Sequence, residues 1–525
     1  MPGSSSTPRW LLVVVAAAVL MGIFFRFYHL DRKVFWDDEV MGTVHMLGYT
    51  EAEIVQASPT LKVASEVQRF TLTPASAALR LDDTIRALRE EDPHIPPLFY
   101  LSERLWTSLF GTSVAAIRSL SALFGVLVLP CVYWLAIELF GSSIVATVSL
   151  GLIAVSPIYV LYSQEGREYS MWTLAFVLVS ASFLRAVRLN VFAGWLLYTV
   201  ITGAACYVNP LTGFVVLGSG VYLFVREHAR LTPVFRNYAI AVVGAVLCFS
   251  PWLVVMVTSP VLGHGMVGIA TSKLTPVGIA LIFLRDLRFP FFDIGLFRVG
   301  PVSSTAAHLA VTALVVGLTI YAFVSLVRRR PYATWGFIVL GLCVPLLALI
   351  PKGQFVIQAR YFFPLLMGVQ LAVAALLGAW LVKKPANTTP MRAILLFAVL
   401  MCGEVASDAV SSGADTWWNK DYQRSTAVAA VINRTPKAII VSDYDATSIL
   451  ALSRYVDPTT AVRLNVSCSL CTVRVMPRPS LTKAPDDATV FILGIPDGRE
   501  GLRIRWIDPR PYPPKPDPLN LFLSV

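Results

Sequence analysis

Long apolar runs separated by short polar turns occupy most of the chain. The first run extends from Trp10 to Tyr28, and ten more follow from about residue 114. Those ten lie near residues 114–137, 142–162, 168–188, 192–209, 211–225, 238–258, 305–327, 332–350, 361–382 and 391–409. Because a helix needs about 20 apolar residues to cross a bilayer, the pattern predicts an α-helical polytopic membrane protein with about eleven transmembrane helices.

Two long segments break this pattern. Residues 31–112 are polar and mixed in charge, which predicts a folded loop with interfacial helices. Residues 410–525 contain short β-like runs at Ala438–Ser442, Ala461–Val466 and Thr489–Leu493, which predict a small α/β domain. We therefore expect a transmembrane domain over 1–409 and a second domain over 410–525. The first apolar run is expected to be an anchoring span, because no small-x-small cleavage site follows it.

Composition excludes a soluble enzyme and a disordered chain. The 525 residues are 56% hydrophobic and 14% charged, with a mean hydropathy of +0.67, whereas soluble proteins carry roughly 25% charged residues. The net charge of +11 is compatible with nucleic-acid binding, but the basic residues do not cluster in one soluble segment.

The basic residues fall instead in alternate loops. They are Arg9, Arg185, Arg188, Arg226, Arg230, Arg236, Arg328–Arg330, Lys383, Lys384 and Arg392. Such loops face the cytoplasm. This predicts a multi-pass protein of the plasma (inner) membrane, with a cytoplasmic N-terminus, an extracytoplasmic first loop and C-terminal domain, and no nucleic-acid partner.

Two groups of candidate residues lie in the first long loop. Asp37, Asp38 and Glu39 directly follow the first span, and carboxylates there can accept a proton from a hydroxyl or hold a metal ion. A solvated helix N-terminus explains the same acids. Asp92 and His94 precede an aromatic-rich stretch typical of an interfacial helix, although a Pro-rich turn with a solvated histidine is the simpler interpretation.

Two further groups lie at predicted outer turns. One comprises Gln164, Glu165, Arg167, Glu168 and Tyr169. Ionisable residues near membrane depth are costly and usually functional, but an ion pair that only fixes the turn is the alternative. The other comprises Lys352 and Arg360, and an arginine fork matches a phosphate. A snorkelling arginine at a helix end also accounts for Arg360.

Other motifs are less informative. The segment RDLRFPFFD at 285–293, within the long loop 259–304, fits a lid over an active site or an ordinary loop. The sequence contains no Walker A loop, no GxGxxG that opens a helix and no GxSxG, so nucleotide-driven chemistry is not indicated.

The order of the motifs is distinctive. An acidic pair follows the first span, His94-Ile-Pro-Pro-Leu precedes the second, and Gln164-Glu-Gly-Arg-Glu-Tyr follows the third. This set resembles glycosyltransferase family 39 of the membrane-embedded GT-C class, which includes protein O-mannosyltransferases and lipid A aminoarabinose transferases. The resemblance covers about residues 10–380 and is nearest to the bacterial branch. Ile95 is an insertion relative to the family's His-Pro-Pro motif.

The resemblance implies a GT-C fold and an inverting glycosyltransferase. The donor would be a sugar on a polyprenyl phosphate, and the acceptor a hydroxyl of a lipid, glycan or protein at the outer face of the bilayer. It makes Asp38 and Glu39 the catalytic residues, with Asp38 as general base. The donor-binding residues would be Asp92, His94, Gln164, Glu165, Arg167, Tyr169, Lys352, Arg360 and Tyr361. It implies no particular cofactor and leaves the use of a divalent cation open.

Two other classes remain as alternatives: a lipid or polysaccharide transporter and a non-catalytic subunit of cell-envelope assembly. A transporter is expected to carry its key charges in the middle of spans. Asp38, Glu165 and Arg360 instead lie at predicted outer ends, where an enzyme acting at the membrane surface needs them.

Overall fold

The computed structural model describes residues 7–76, 80–259, 281, 283–292, 303–329, 359–382, 389–415, 417, 425–442, 446–464, 466, 489–494 and 503–507. Contacts divide the chain into two units. The first comprises Met1–Tyr49 and Ala75–Asp421, and the second comprises Thr50–Pro74 and Tyr422–Val525. The inclusion of residues 50–74 in the second unit is not apparent from the sequence.

The first unit is built of helices. Its first half contains α1 (Arg9–Phe27), α2 (Asp37–Met46), α5 (Leu81–Glu91), α6 (Leu98–Phe110), α7 (Val114–Phe140), α8 (Ser143–Ala154), α9 (Pro157–Ser163) and α10 (Tyr169–Leu189). Its second half contains α11 (Phe192–Cys206), α12 (Thr212–Arg226), α13 (Pro233–Thr258), α14 (Ser303–Arg329), α15 (Phe363–Leu381, preceded by a 3-10 turn at Ala359–Phe362) and α16 (Thr389–Gly413).

Seven helices within the described ranges are long and apolar enough to cross a membrane. Helices α8 and α9 form an eighth candidate that bends by 55° at Ser156–Pro157. Proline cannot donate the backbone hydrogen bond of a continuing helix, so the predicted single span at 142–162 is broken there. Helices α11 and α12 have 15 residues each and are shorter than a full span. The predicted span at 332–350 lies outside the described residues.

The long helices pack into one apolar core. Helix α7 packs against α8 and α10, α1 packs against α8, and α15 packs between α8, α14 and α16. Nearly all of α15 is buried. Its Phe363 contacts the rings of Tyr159, Tyr162 and Trp172. The outer faces of α1, α11 and α13 expose leucine, valine and phenylalanine, as expected of lipid-facing surfaces.

The second unit contains helices and a small sheet. Its helices are α3 (Glu51–Ala57), α4 (Ala64–Leu72), α17 (Ser425–Arg434) and α18 (Ala446–Ser453), with a 3-10 turn at Ser58–Thr60. Its strands are β1 (Ala438–Ser442), β2 (Ala461–Leu464), β3 (Thr489–Gly494) and β4 (Arg503–Ile507), in the order β2-β1-β3-β4. Strand β1 pairs in parallel with β2 and β3, whereas β4 is antiparallel to β3.

Residues 58–71 are integrated into this second unit by hydrogen bonds. The backbone N–H of Ala64 donates to the Thr460 carbonyl at 2.9 Å, and the N–H of Val462 donates to the Lys62 carbonyl at 2.8 Å. The Gln68 amide donates to the carbonyls of Ser453 and Val456 at 2.7 and 3.0 Å. Such main-chain pairing fixes the segment although its partners lie far away in the sequence.

Candidate active site

The two adjacent acids at the start of α2 face different surroundings. Consecutive residues of a helix are about 100° apart around its axis, so Asp38 and Glu39 diverge. Glu39 is completely buried, whereas the Asp38 side chain is 33% exposed. Asp38 is therefore the member of the pair that a ligand can reach.

Glu39 is held by the protein on both carboxylate oxygens. Arg118 Nε donates to Oε1 at 2.8 Å, and Arg118 Nη2 donates to Oε2 at 2.7 Å. The backbone N–H of Gly166 adds a bond to Oε1 at 2.7 Å. A buried, bidentate pair of this kind fixes orientation more strongly than a single hydrogen bond.

Arg118 also binds the chain that joins α1 to α2. Its guanidinium donates to the carbonyls of Leu30, Lys33 and Val34 at 2.6, 2.9 and 3.0 Å. The same group lies over the rings of Phe35 and Trp417, 5.2–5.7 Å from their centroids. Arg118 was not among the predicted site residues, although it is the single charge inside the apolar run 114–137.

Asp38 lies beside a cation. Arg360, in the 3-10 turn before α15, places Nη1 3.1 Å from Asp38 Oδ2. Its guanidinium lies over the rings of Tyr169, Tyr361 and Trp36, at 5.0, 5.4 and 5.8 Å from their centroids. Aromatic faces attract cations, so three rings hold this positive charge next to the exposed carboxylate. Arg360 Nε is buried without a hydrogen-bond acceptor among the described residues.

The turn between α9 and α10 reaches the same place. Arg167 Nη1 donates to the backbone carbonyl of Asp38 at 2.9 Å, and its Nε donates to Glu168 at 3.0 Å. Tyr100 of α6 donates its hydroxyl to the same Glu168 oxygen at 3.4 Å. Burial lowers the pKa of Arg167, but Glu168, Tyr100 and Asp38 more than offset this, so the pKa stays above its ordinary value. Arg167 is thus a permanent cation behind Asp38.

Gln164 and Glu165 of this turn have distinct surroundings. The Gln164 amide donates to the carbonyls of Phe25 and Tyr28 at 2.6 and 3.1 Å and accepts from Lys33 Nζ at 2.8 Å. These hydrogen bonds use both ends of the Gln164 amide and connect the turn to the end of α1 and the residues that follow it. Glu165 is fully buried and interacts electrostatically with Tyr162.

Asp92 and His94 belong to a neighbouring cluster centred on His45. His45 Nε2 lies 3.0 Å from Glu91 Oε2, and His45 Nδ1 lies 3.4 Å from Asp92 Oδ2. His94 Nδ1 is 3.7 Å from the other Asp92 oxygen. Tyr100 lies between the two groups, since it interacts electrostatically with both Asp92 and Arg167.

Lys352, a predicted donor-binding residue, lies outside the described residues. Within the described ranges, no group of three or more His, Cys, Asp or Glu side chains is arranged to hold a metal ion.

Glu103 of α6 was not among the predicted site residues. It is 1% exposed. Burial raises the pKa of Glu103 well above its ordinary value, and the carboxylates of Glu39 and Glu168 act in the same direction.

Comparison with known proteins supports the resemblance drawn from the motifs. Residues 94–255 match the family described as dolichyl-phosphate-mannose-protein mannosyltransferase. The structure is similar to that of ArnT from Cupriavidus metallidurans bound to undecaprenyl phosphate. That match has a TM-score of 0.51 and 13% identity, and covers 88% of this chain and 87% of the other. The family match falls within the residues that carry the motif resemblance, and the ArnT structure shares the fold.

Two other solved structures align with this chain. The oligosaccharyltransferase AglB from Archaeoglobus fulgidus, in complex with an inhibitory peptide and a dolichol-phosphate, has a TM-score of 0.46 and 15% identity over 86% of this chain. The chain spans 65% of that protein's length. The Pmt1-Pmt2 protein O-mannosyltransferase complex of S. cerevisiae, bound to the sugar donor, has a TM-score of 0.32 and 17% identity, and covers 48% of this chain and 34% of that one. None of the curated proteins matches the chain.

Proposed function

We propose that the protein transfers a sugar from a polyprenyl-phosphate donor to a hydroxyl acceptor at the outer face of the membrane, with inversion. The observation that carries the proposal is the pairing of Asp38 with Arg360. It supplies a reachable proton acceptor and a fixed cation 3.1 Å apart, at the polar ends of apolar helices. A donor that is both lipid and anion requires this combination of an apolar surface and a cation.

Arg360 is the proposed phosphate ligand. It pairs with Asp38 through Nη1, and its buried Nε has no hydrogen-bond acceptor among the described residues. A planar guanidinium can donate to two phosphate oxygens at once. Binding of the phosphate would draw the positive charge from Asp38 to the donor, which leaves Asp38 available to the acceptor.

The reaction is then a single displacement. The acceptor hydroxyl gives its proton to Asp38, and its oxygen forms a bond to the anomeric carbon. The bond from that carbon to the phosphate oxygen breaks, and the electron pair remains on the polyprenyl phosphate. Arg360 stabilises the charge that develops on the leaving phosphate. Attack from the side opposite the phosphate inverts the configuration of the anomeric carbon.

Glu39, predicted as catalytic, is better assigned as a positioning residue. Arg118 and the Gly166 N–H occupy both of its oxygens, so it has little capacity to accept a proton from a substrate. Arg167 serves a similar purpose through the Asp38 carbonyl. Both residues fix the backbone from which the Asp38 carboxylate projects.

The proposal extends to the location and the acceptor. The protein is a multi-pass membrane protein, and the distribution of Lys and Arg favours the plasma (inner) membrane with the site on the extracytoplasmic side. The acceptor is a lipid, a glycan or a protein. In each case a hydroxyl group supplies the attacking oxygen.

The test uses purified protein in lipid nanodiscs with a panel of radiolabelled polyprenyl-phosphate sugars. Loss of label from the donor is followed by thin-layer chromatography, and donor binding is measured separately. We expect Asp38→Asn to lower turnover by about 10²–10⁴-fold, the usual contribution of a general base, with donor affinity retained.

The matched control is Asp37→Asn, which makes the same change one residue earlier in the same helical turn and is expected to retain turnover. Equal turnover in Asp38→Asn and wild type would refute the base assignment. If wild-type protein bound none of the donors, the transporter and assembly-subunit alternatives would replace the enzyme hypothesis.

A further inference from the structure

The segment at residues 283–292 is held firmly against the first unit. The Pro290 carbonyl accepts hydrogen bonds from Ser156 Oγ at 2.8 Å and from Gln370 Nε2 at 3.1 Å. Arg288 Nη1 donates to Thr312 Oγ1 at 3.2 Å. Donors from α15 and from the bend between α8 and α9, together with an acceptor from α14, therefore fix its position.

This anchoring buries one carboxylate, that of Asp286. The residue is 1% exposed, and Arg285 places Nε and Nη2 2.8 and 2.7 Å from the same oxygen, Oδ1. The other oxygen, Oδ2, is buried without a hydrogen-bond partner among the described residues. Leaving a buried acceptor unsatisfied costs about 1–3 kcal/mol, and more when it is charged. Such a buried acceptor requires an explanation, and a ligand that supplies the missing donor is one.

Asp286 lies next to the proposed phosphate site. Tyr162 interacts electrostatically with Asp286 and with Arg360, and its ring packs 5.6 Å from that of Tyr169, on whose face Arg360 lies. Phe283, one helical turn before Asp286, contacts the ring of Phe362 at 5.6 Å. Asp286 and Arg360 therefore both lie within electrostatic range of Tyr162.

The ionisation of Asp286 suits an acceptor role. Burial raises the pKa of Asp286 to about 6, and the neighbouring Arg285 and Arg288 oppose that rise. The carboxylate is therefore mostly ionised at neutral pH, when it can only accept hydrogen bonds. In a polyprenyl-phosphate sugar, the groups past the phosphate that can donate a hydrogen bond are the hydroxyls of the sugar ring.

We propose that Asp286 Oδ2 accepts a hydrogen bond from a hydroxyl of the donor's sugar and so determines which sugars are accepted. This inference rests on the proposed function, because it takes Arg360 as the phosphate ligand. A site that hydrogen-bonds a substrate hydroxyl discriminates strongly against an analogue without it, since the buried acceptor is then left unpaired.

The test compares two ligands that differ only in the sugar: polyprenyl phosphate and a polyprenyl-phosphate hexose from the panel above. Affinity for each is measured with wild-type protein, Asp286→Asn and Asp286→Glu in nanodiscs. We expect Asp286→Asn to weaken binding of the hexose donor about tenfold or more and to leave binding of polyprenyl phosphate within about twofold. Unchanged carrier binding also shows that the variant is folded.

A second series of ligands identifies the hydroxyl. Each analogue of the sugar donor lacks one sugar hydroxyl. The analogue without the contacted hydroxyl should bind to wild type and to Asp286→Asn with equal affinity. The exposed Asp82, paired with Arg80 at the surface of α5, provides the control variant Asp82→Asn, which should bind both ligands as wild type does.

Two results would overturn the inference while the proposed function survives. In the first, Asp286→Asn binds the hexose donor as well as wild type. In the second, the variants lose affinity equally for both ligands, which would make Asp286 a support for the phosphate site. By contrast, wild-type protein that neither binds nor cleaves any sugar donor would refute the proposed function, and this inference with it.

Discussion

Replacing Arg118 by methionine removes the cation that holds Glu39 while preserving most of the side-chain volume. Both charged groups are completely buried, so the variant leaves an uncompensated carboxylate in the interior. Loss of one partner from a buried ion pair costs about 3–5 kcal/mol. Arg118 also satisfies the carbonyls of Leu30, Lys33 and Val34, which places the expected loss toward the upper end of that range.

The double variant Arg118→Met/Glu39→Leu removes both charges. Its remaining defects are the loss of donors to the three carbonyls and of the acceptor for the Gly166 N–H, at about 1 kcal/mol each. We therefore expect the double variant to be at least about 1 kcal/mol more stable than Arg118→Met, although it carries one more substitution.

The free energy of unfolding is measured by denaturant titration in mixed micelles, with tryptophan fluorescence as the signal. Glu39→Leu alone completes the double-mutant cycle, which isolates the interaction between the two side chains. A loss of less than about 1 kcal/mol in Arg118→Met would show that the buried pair does not stabilise the fold in this way. So would losses in the two single variants that add up to the loss in the double variant.

Three further predictions concern neighbouring residues. Arg360→Ala should weaken binding of polyprenyl phosphate by about 10–100-fold, and Arg360→Lys should weaken it less, because lysine keeps the charge but not the planar fork. Equal binding by wild type and both variants would remove Arg360 from the phosphate site. Burial raises the pKa of Glu103 above its ordinary 4.5, so its contribution to stability is complete below that pH and is lost as the pH rises toward the folded-state pKa. The free energy of unfolding of Glu103→Gln should lack this decline as the pH rises above 4.5. Parallel pH curves for variant and wild type would contradict a raised pKa. A Cβ at Gly42 would lie 3.0 Å from the Tyr100 ring, so Gly42→Leu should lose about 1–3 kcal/mol, whereas an unchanged unfolding midpoint would show that α2 and α6 can separate freely.

Hydropathy predicts helices well because a membrane requires long apolar segments. The runs from Trp10, 114, 168, 238 and 391 all occur as long helices. It predicts interruptions less well: the run at 142–162 is broken at Pro157, and the runs at 192–209 and 211–225 form 15-residue helices. The apolar pattern does not show whether the helix bends at a proline such as Pro157, because tertiary packing decides this.

The candidate site was predictable in its residue types and less so in its contacts. The motifs selected Asp38, Arg167 and Arg360, which the structure brings together. They could not show that Glu39 faces inward, because adjacent acids look equivalent in a sequence. Arg118 and Asp286 lie 79 and 247 positions away from Glu39 along the chain, and no local pattern connects such distant residues.

The integration of residues 50–74 into the second unit affects how the protein is made. Gln68 is synthesised 385 residues before Ser453, whose carbonyl it binds. At translation rates of about 5–20 residues per second, that separation corresponds to roughly 20–80 s. During this interval the segment has emerged while its partner strands and helices do not yet exist. The first unit must therefore acquire its spans around a loop that completes its fold only at the end of synthesis.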